Sequence, residues 1–250
     1  MAGTSIHSVY RRTARAAAQQ RIVKKTSNID IERARTDFAY FCDVVGDKPP
    51  AEHHKEWHKY LCTGEDSECL IGIGGPNIDI LAPRGSAKST ILGLYTAWAV
   101  GVHALARRPL KILYISYTVD VARPKSAAIK RIIEESKAYK EIFPTVKIAK
   151  GINSNEYWSI DWKFAGIRTA GEEEFTVCCA GLKGAVTSKR SHLCIIDDAI
   201  KSADDIKNRD IRQAMEDNWN SVIVPTMFEG GRAICLGTRF RHDDIHNSTF

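Results

Sequence analysis

The sequence predicts an α/β domain, with a mainly parallel β-sheet covered by helices on both faces. Three observations carry that expectation. Four apolar runs (78–81, 111–118, 192–198 and 232–238) are short and nearly free of alternation, the pattern of strands buried on both faces. Longer stretches with helical spacing lie between them, so strands and helices alternate along the chain. The 250 residues, 44% apolar and 26% charged, fit one large α/β core.

Residues 1–35 are polar, basic and weakly patterned, and read as an arm or an isolated helix. Its first 25 residues carry Arg11, Arg12, Arg15, Arg21, Lys24 and Lys25 and no acid. That composition suits an organelle transit peptide, or a basic arm that touches DNA or a partner. Residues 36–250 read as the domain proper. Across 35–61 the residues Phe38, Phe41, Val44, Val45, Trp57 and Leu61 suggest two short helices broken at Lys48-Pro49-Pro50.

A glycine-rich turn, Gly72-Ile73-Gly74-Gly75-Pro76, leads into the strand at 78–81, and a loop and helix follow it. After the strand at 111–118 a helical stretch covers about 119–140, with Ile129, Ile132 and Ile133 on one face. Shorter β-like pieces lie between 158 and 180. A strand at 192–198, a helix over about 207–222 and a strand at 232–238 complete the alternation. No internal repeat is present.

Several classes drop out. No stretch approaches the roughly 18 to 20 unbroken apolar residues that a membrane span needs, and there is no secretory apolar core near the start. Cys42, Cys62, Cys69, Cys178, Cys179, Cys194 and Cys235 include no CxxC pair, and Cys194 and Cys235 sit inside strand-like runs. Reduced, buried thiols are expected rather than disulfides or zinc. A net charge of +6 permits a nucleic-acid partner.

The segment Ala82-Pro83-Arg84-Gly85-Ser86-Ala87-Lys88-Ser89 occupies the frame of a Walker A loop, with Ala at both glycine positions. A loop between strand and helix turns backbone N–H groups and the helix N-terminus toward phosphates. Lys88 would reach the β- and γ-phosphates, the Ser89 hydroxyl would ligate Mg²⁺, and Thr90 would support it. Arg84 adds a fixed charge beside the γ-phosphate. Ala87 is the weak point, because glycine there admits backbone angles that a Cβ opposes. Read alone, the loop is also a basic helix N-terminus.

Further on, Leu193-Cys194-Ile195-Ile196-Asp197-Asp198 is an apolar strand ending in two carboxylates, the form of a Walker B motif. Asp197 would hold Mg²⁺ and Asp198 would orient the attacking water. Read alone, it is a strand followed by a solvated turn. An intervening strand and a second acid mark the additional-strand, RecA-like class of P-loop NTPases. A two-metal nuclease built from Asp197, Asp198, Asp204 and Asp205 is disfavoured, because no second element supplies further ligands. Thr238, at the tip of the strand at 232–238, would sense the γ-phosphate, and Arg239 with the polar residues beyond would relay its state.

Together, the phosphate loop, GLKGAVTSKRSHLCIIDDAIKSADD, LGTRFRHDDI and YISYTVDVARPKSAAIKRII resemble the ATPase half of the large terminase subunit of tailed bacteriophages, over roughly residues 35–250. The resemblance implies an Mg²⁺-dependent ATPase that translocates double-stranded DNA into a procapsid. It assigns Pro83 through Thr90 (Pro83, Arg84, Gly85, Ser86, Ala87, Lys88, Ser89, Thr90) to ATP, Ser89 and Asp197 to Mg²⁺, and Asp198 to the water. Gly237, Thr238 and Arg239 fall to coupling.

It further implies an adenine-contacting segment near His54, Trp57 and His58. An arginine finger acting on a neighbouring subunit would come from Lys189 or Arg190, or less readily Lys183. The expected partners are a homo-oligomeric ring on the portal, for which the family suggests a pentamer, and the small terminase subunit. The expected location is the host-cell cytoplasm at the procapsid portal vertex, with no membrane. The family's C-terminal RNase-H-like nuclease domain is not seen in these residues, so nuclease activity is not expected from them. Two readings stay open beside this one: a helicase-like nucleic-acid-dependent ATPase, and a non-hydrolysing nucleic-acid-binding module with a degenerate loop.

Overall fold

The computed structural model describes residues 29–46, 49–62, 75–168, 175–182, 184, 189–241 and 243–248. Among the described residues three helices come first: α1 (Ile31–Thr36), α2 (Phe38–Val45) and α3 (Glu52–Leu61). Strand β1 (Ile78–Leu81) leads to α4 (Lys88–Leu105), and β2 (Ile112–Ser116) leads to α5 (Val119–Glu135) and α6 (Lys137–Ile142). Next come β3 (Ile148–Asn153), β4 (Tyr157–Ile160), β5 (Val177–Gly181) and β6 (Ser191–Asp197). Helix α7 (Arg209–Asn218), strand β7 (Met227–Gly237) and α8 (Ile245–Ser248) end the described chain.

The seven strands form one sheet in the order β1-β7-β6-β2-β5-β4-β3. The first five are parallel, and β4 and β3 close one edge antiparallel. Every residue of β2 and β5 is buried, as continuous apolar runs between two helical layers require. On one face Ile112, Tyr114, Leu193, Ile195, Ile234 and Leu236 meet α4, α5 and the N-terminal helices. On the other, Leu113, Ile115, Cys194, Ile196 and Ala233 meet Met215, Trp219 and Ile223. The predicted α/β sheet with helices on both faces is thus the observed architecture.

Helix α4 runs through the middle of the first layer, with most of its residues buried. Gly101 allows this. A Cβ there would lie 2.4 Å from the Phe143 ring, so only glycine lets the helix approach.

Local chemistry explains where the elements differ from expectation. The helix expected over 119–140 breaks at Ser136, whose hydroxyl caps α6 by accepting from Tyr139 N at 3.2 Å. The β3 strand was not expected, because Lys150 and Gly151 interrupt its apolar pattern. β7 begins at Met227, well before the expected residue 232. Gly230, at φ 74, lies in Glu229-Gly230-Gly231, where the register with β6 shifts within the continuous strand. The helix expected over 207–222 begins at Arg209, capped by Asn208, and winds into a π-turn at Trp219–Ile223 that keeps both residues in the core.

Helix α1 belongs to the packed layer. Asp30 caps it, Trp98 Nε1 donates to Ala34 O at 3.1 Å, and Arg35 Nε donates to Ile142 O at 3.0 Å. Residues 1–28 of the expected arm, most of the glycine-rich turn, Cys69 and Lys183 lie outside the described residues. No disulfide joins the described cysteines. No described helix is long and apolar enough to cross a membrane.

Candidate active site

The loop 82–87 leaves the C-terminal end of β1 and enters α4, so the first turn of α4 faces a cleft with its N–H groups and its positive dipole end. Ala87 is the residue before the helix and adopts the left-handed conformation, φ 58 and ψ 26. That conformation costs a non-glycine residue roughly 1–2 kcal/mol. Asp198, at φ 53, is strained in the same way. Of the three non-glycine residues with positive φ among those described, two therefore flank this cleft, and packing must hold both of them there.

Lys88 is only 5% exposed. Its ammonium donates to Ala82 O at 3.1 Å, Pro83 O at 3.0 Å and Thr238 Oγ1 at 3.0 Å, and stands 3.9 Å from Asp198 Oδ1. Thr238 in turn donates to Ala82 O at 3.2 Å. One lysine thus joins the loop 82–87, the end of β7 and the end of β6. Ser89 Oγ donates to Asp197 Oδ1 at 2.9 Å, across 108 residues of sequence.

Asp197 is fully buried. Its Oδ2 accepts from Tyr114 OH at 2.8 Å and pairs with Lys125 Nζ at 2.8 Å. Lys125 also donates to Asp197 O and Ser116 Oγ, both at 3.2 Å. A buried carboxylate survives only when its lone pairs are filled in this way. The adjoining Asp198 is more open. Burial first, then the neighbouring Asp197 charge, raise its carboxyl above the ordinary range, against Lys88, Lys125 and Arg84.

The cleft holds about 540 Å³ and is lined among others by Arg84, Lys88, Lys125, Asp198, Thr238 and Phe240. Gly85, Ala87, Ser89 and Thr90 line it too. Arg84 crosses its mouth, donating to Lys201 O at 2.6 Å with Phe240 beneath the guanidinium at 5.5 Å. Gly237 and Arg239 lie beside the cleft on either side of Thr238. Gly237 O accepts from Ala82 N at 3.0 Å, and Arg239 is exposed and donates to Arg241 O. Pro83 and Ser86 shape the loop from within, through Ser86 Oγ donating to Pro83 O at 2.7 Å.

His54 sits behind the loop. Its Nδ1 accepts from Ala51 N at 3.1 Å, which puts the ring proton on Nε2, and Nε2 lies 2.8 Å from Ser86 O. Trp57 is buried against His54 and His53, and His58 packs on Phe38 at 4.5 Å. None of the three lines the cleft. Lys189 and Arg190 lie at the opposite end of β6, roughly 20 Å from Asp197 along the strand, over the Tyr157 and Phe228 rings respectively. Asp204 is exposed and pairs with Lys207 at 2.6 Å, apart from Asp197 and Asp198.

In space, the strand between β1 and β6 is β7, which carries Thr238 at its tip. The strand that lies between them in sequence, β2, flanks β6 on its far side and supplies Tyr114 and Ser116. Tyr114 and Lys125 were missed from sequence, because a tyrosine in an apolar strand reads as core and a lysine on an amphipathic helix reads as solvated.

Neither the comparison with known protein families nor the comparison with curated proteins finds a match for this chain.

Proposed function

We propose that this chain is the ATPase domain of a phage large terminase, of the additional-strand P-loop class, and that it hydrolyses ATP to move double-stranded DNA into a procapsid. The observation that carries the proposal is the Ser89–Asp197 hydrogen bond beside the Lys88–Thr238 contact. Three motifs distant in sequence converge on one cleft at the C-terminal ends of parallel strands, where α/β sheets bind ligands.

The donor set fits the group it would need. A hydroxyl and a carboxylate oxygen side by side suit a hard divalent ion, and Mg²⁺ held by Ser89 and Asp197 would screen the phosphates. Lys88 and Arg84 bring positive charge to the oxygens that become more negative as the phosphoryl group transfers. Asp198 would orient and polarise the attacking water. Thr238, on Lys88, exchanges its contact as the γ-phosphate arrives and leaves, and Gly237 and Arg239 carry that change outward.

His54 serves the loop from behind. Lys189 or Arg190 would reach a neighbour's cleft in a ring of subunits on the portal. DNA would be gripped by its backbone, which is independent of sequence.

The test is Mg²⁺-dependent ATP turnover against protein concentration, with double-stranded DNA, for the native chain, Lys88→Ala and Asp198→Asn. Turnover that rises faster than linearly and disappears in both variants supports an assembled motor. Native turnover no greater than that of the variants at any concentration points instead to an inert binding module, whereas tight ATP binding without turnover points to a missing neighbouring subunit. Strong stimulation by single-stranded nucleic acid without dependence on concentration points to a helicase-like enzyme.

A further inference from the structure

We propose that Asp79, Cys235 and His246 form a second site, distinct from the nucleotide cleft, which binds a transition-metal ion of the zinc type. Asp79 on β1 and Cys235 on β7 are direct partners in the parallel ladder, so their side chains leave the same face of the sheet. His246, from α8, brings Nδ1 to 3.1 and 3.0 Å from the two Asp79 carboxylate oxygens and 3.9 Å from Cys235 Sγ. The three ligand atoms lie within 4.8 Å of one another, with Cys235 and His246 buried.

The chain around His246 is organised to deliver it. Asp244 is fully buried, and its carboxylate accepts from Phe240 N and Arg241 N at 3.0 Å and from His246 N at 3.2 Å, folding the segment back on the sheet. Gly237 makes room. A Cβ there would lie 2.3 Å from the imidazole, so the ring rests on bare backbone.

The donor chemistry selects the ion. Thiolate, imidazole and carboxylate together match zinc, and its bond lengths of about 2.0–2.3 Å place tetrahedral ligands roughly 3.3–3.6 Å apart. His246 Nδ1 lies slightly closer than that to Asp79 and slightly farther than that from Cys235 Sγ, so an ion would draw the three side chains toward one point. An ion would engage all three side chains at once and leave a fourth position for water. Cys235 would release its proton on binding. The absence of a CxxC pair argued against zinc, but that signal sees only neighbouring cysteines, and these ligands come from three separate elements. The ion would pin the segment after Thr238 to the strand that feeds the phosphate loop.

The test adds Co²⁺, then Zn²⁺, to the chelator-treated chain, with Cys235→Ser and His246→Gln beside it. The expected result is one equivalent of Co²⁺ with a thiolate charge-transfer band and tetrahedral visible bands, displaced stoichiometrically by Zn²⁺ and lost in both variants. Proton release on adding Zn²⁺ to the unsubstituted chain reads the same event without a variant. No band and no proton release, or a band of full strength in Cys235→Ser that folds normally by circular dichroism, would leave these residues as a hydrogen-bonded pair beside a thiol and overturn the proposal.

Discussion

Lys125 Nζ lies 2.8 Å from Asp197 Oδ2, so a lysine on α5 neutralises a carboxylate that no solvent reaches. Removing one partner of such a pair strands the other as a buried charge, at a typical cost of about 3 kcal/mol or more. Lys125→Met is therefore expected to lower the urea midpoint strongly. Asp197→Asn added to it should recover much of the loss, giving a double-mutant cycle with a large coupling term. Additive effects would mean that the contact contributes nothing.

The two alanines of the loop between β1 and α4, Ala82 and Ala87, respond oppositely to glycine. Ala87 has φ 58, so Ala87→Gly removes backbone strain while adding freedom to the unfolded chain. The net is a gain of about 0.5 kcal/mol. Ala82 has no positive φ and is buried, so Ala82→Gly brings the entropic loss and the loss of a buried methyl, together about 1–2 kcal/mol. Thermal midpoints that move the same way in both variants would show that the left-handed conformation at residue 87 stores no strain.

His54 reaches the loop 82–87 through Ser86 O at 2.8 Å and lies behind it. A brace in that place acts on the loop whichever nucleotide is bound, whereas a contact to the base discriminates between nucleotides. With the cleft holding a nucleotide as proposed, His54→Phe is expected to weaken ATP and GTP binding by the same factor and to lower stability by about 1 kcal/mol. A loss confined to ATP, measured by titration calorimetry, would restore the adenine contact that the sequence suggests.

The contrast between His54 and Lys88 shows what sequence can carry. Lys88, Ser89, Asp197, Asp198 and Thr238 are readable because each belongs to a short motif at the junction of an apolar strand and a polar turn. The main strands are readable because burial on both faces leaves unbroken apolar runs. Lys125, Tyr114 and His246 are not readable, since their roles arise only when α5, β2 and α8 reach β6, β7 and β1. β3 escapes for a related reason. An edge strand with one packed neighbour needs little apolar surface, so Lys150 and Gly151 are tolerated there.

His103 and His58 give the fold a predictable response to acid. Burial, with His192 and Arg108 nearby, holds the His103 imidazole down at about 3, and burial beside His54 holds His58 down at about 4. Both Nδ1 atoms are buried with no hydrogen-bond partner among the described residues. In the unfolded chain each ring takes up its proton near pH 6.5. Between that pH and the lowered values the unfolded state binds more protons than the folded one, so stability falls as pH falls. For His103 the loss between pH 7 and pH 5 is about 2 kcal/mol. Urea denaturation at both pH values should show it, and His103→Leu should shrink the difference by a comparable amount. An unchanged difference in that variant would mean that His103 is protonated in the folded chain, and that α4 opens to water near its C-terminal end.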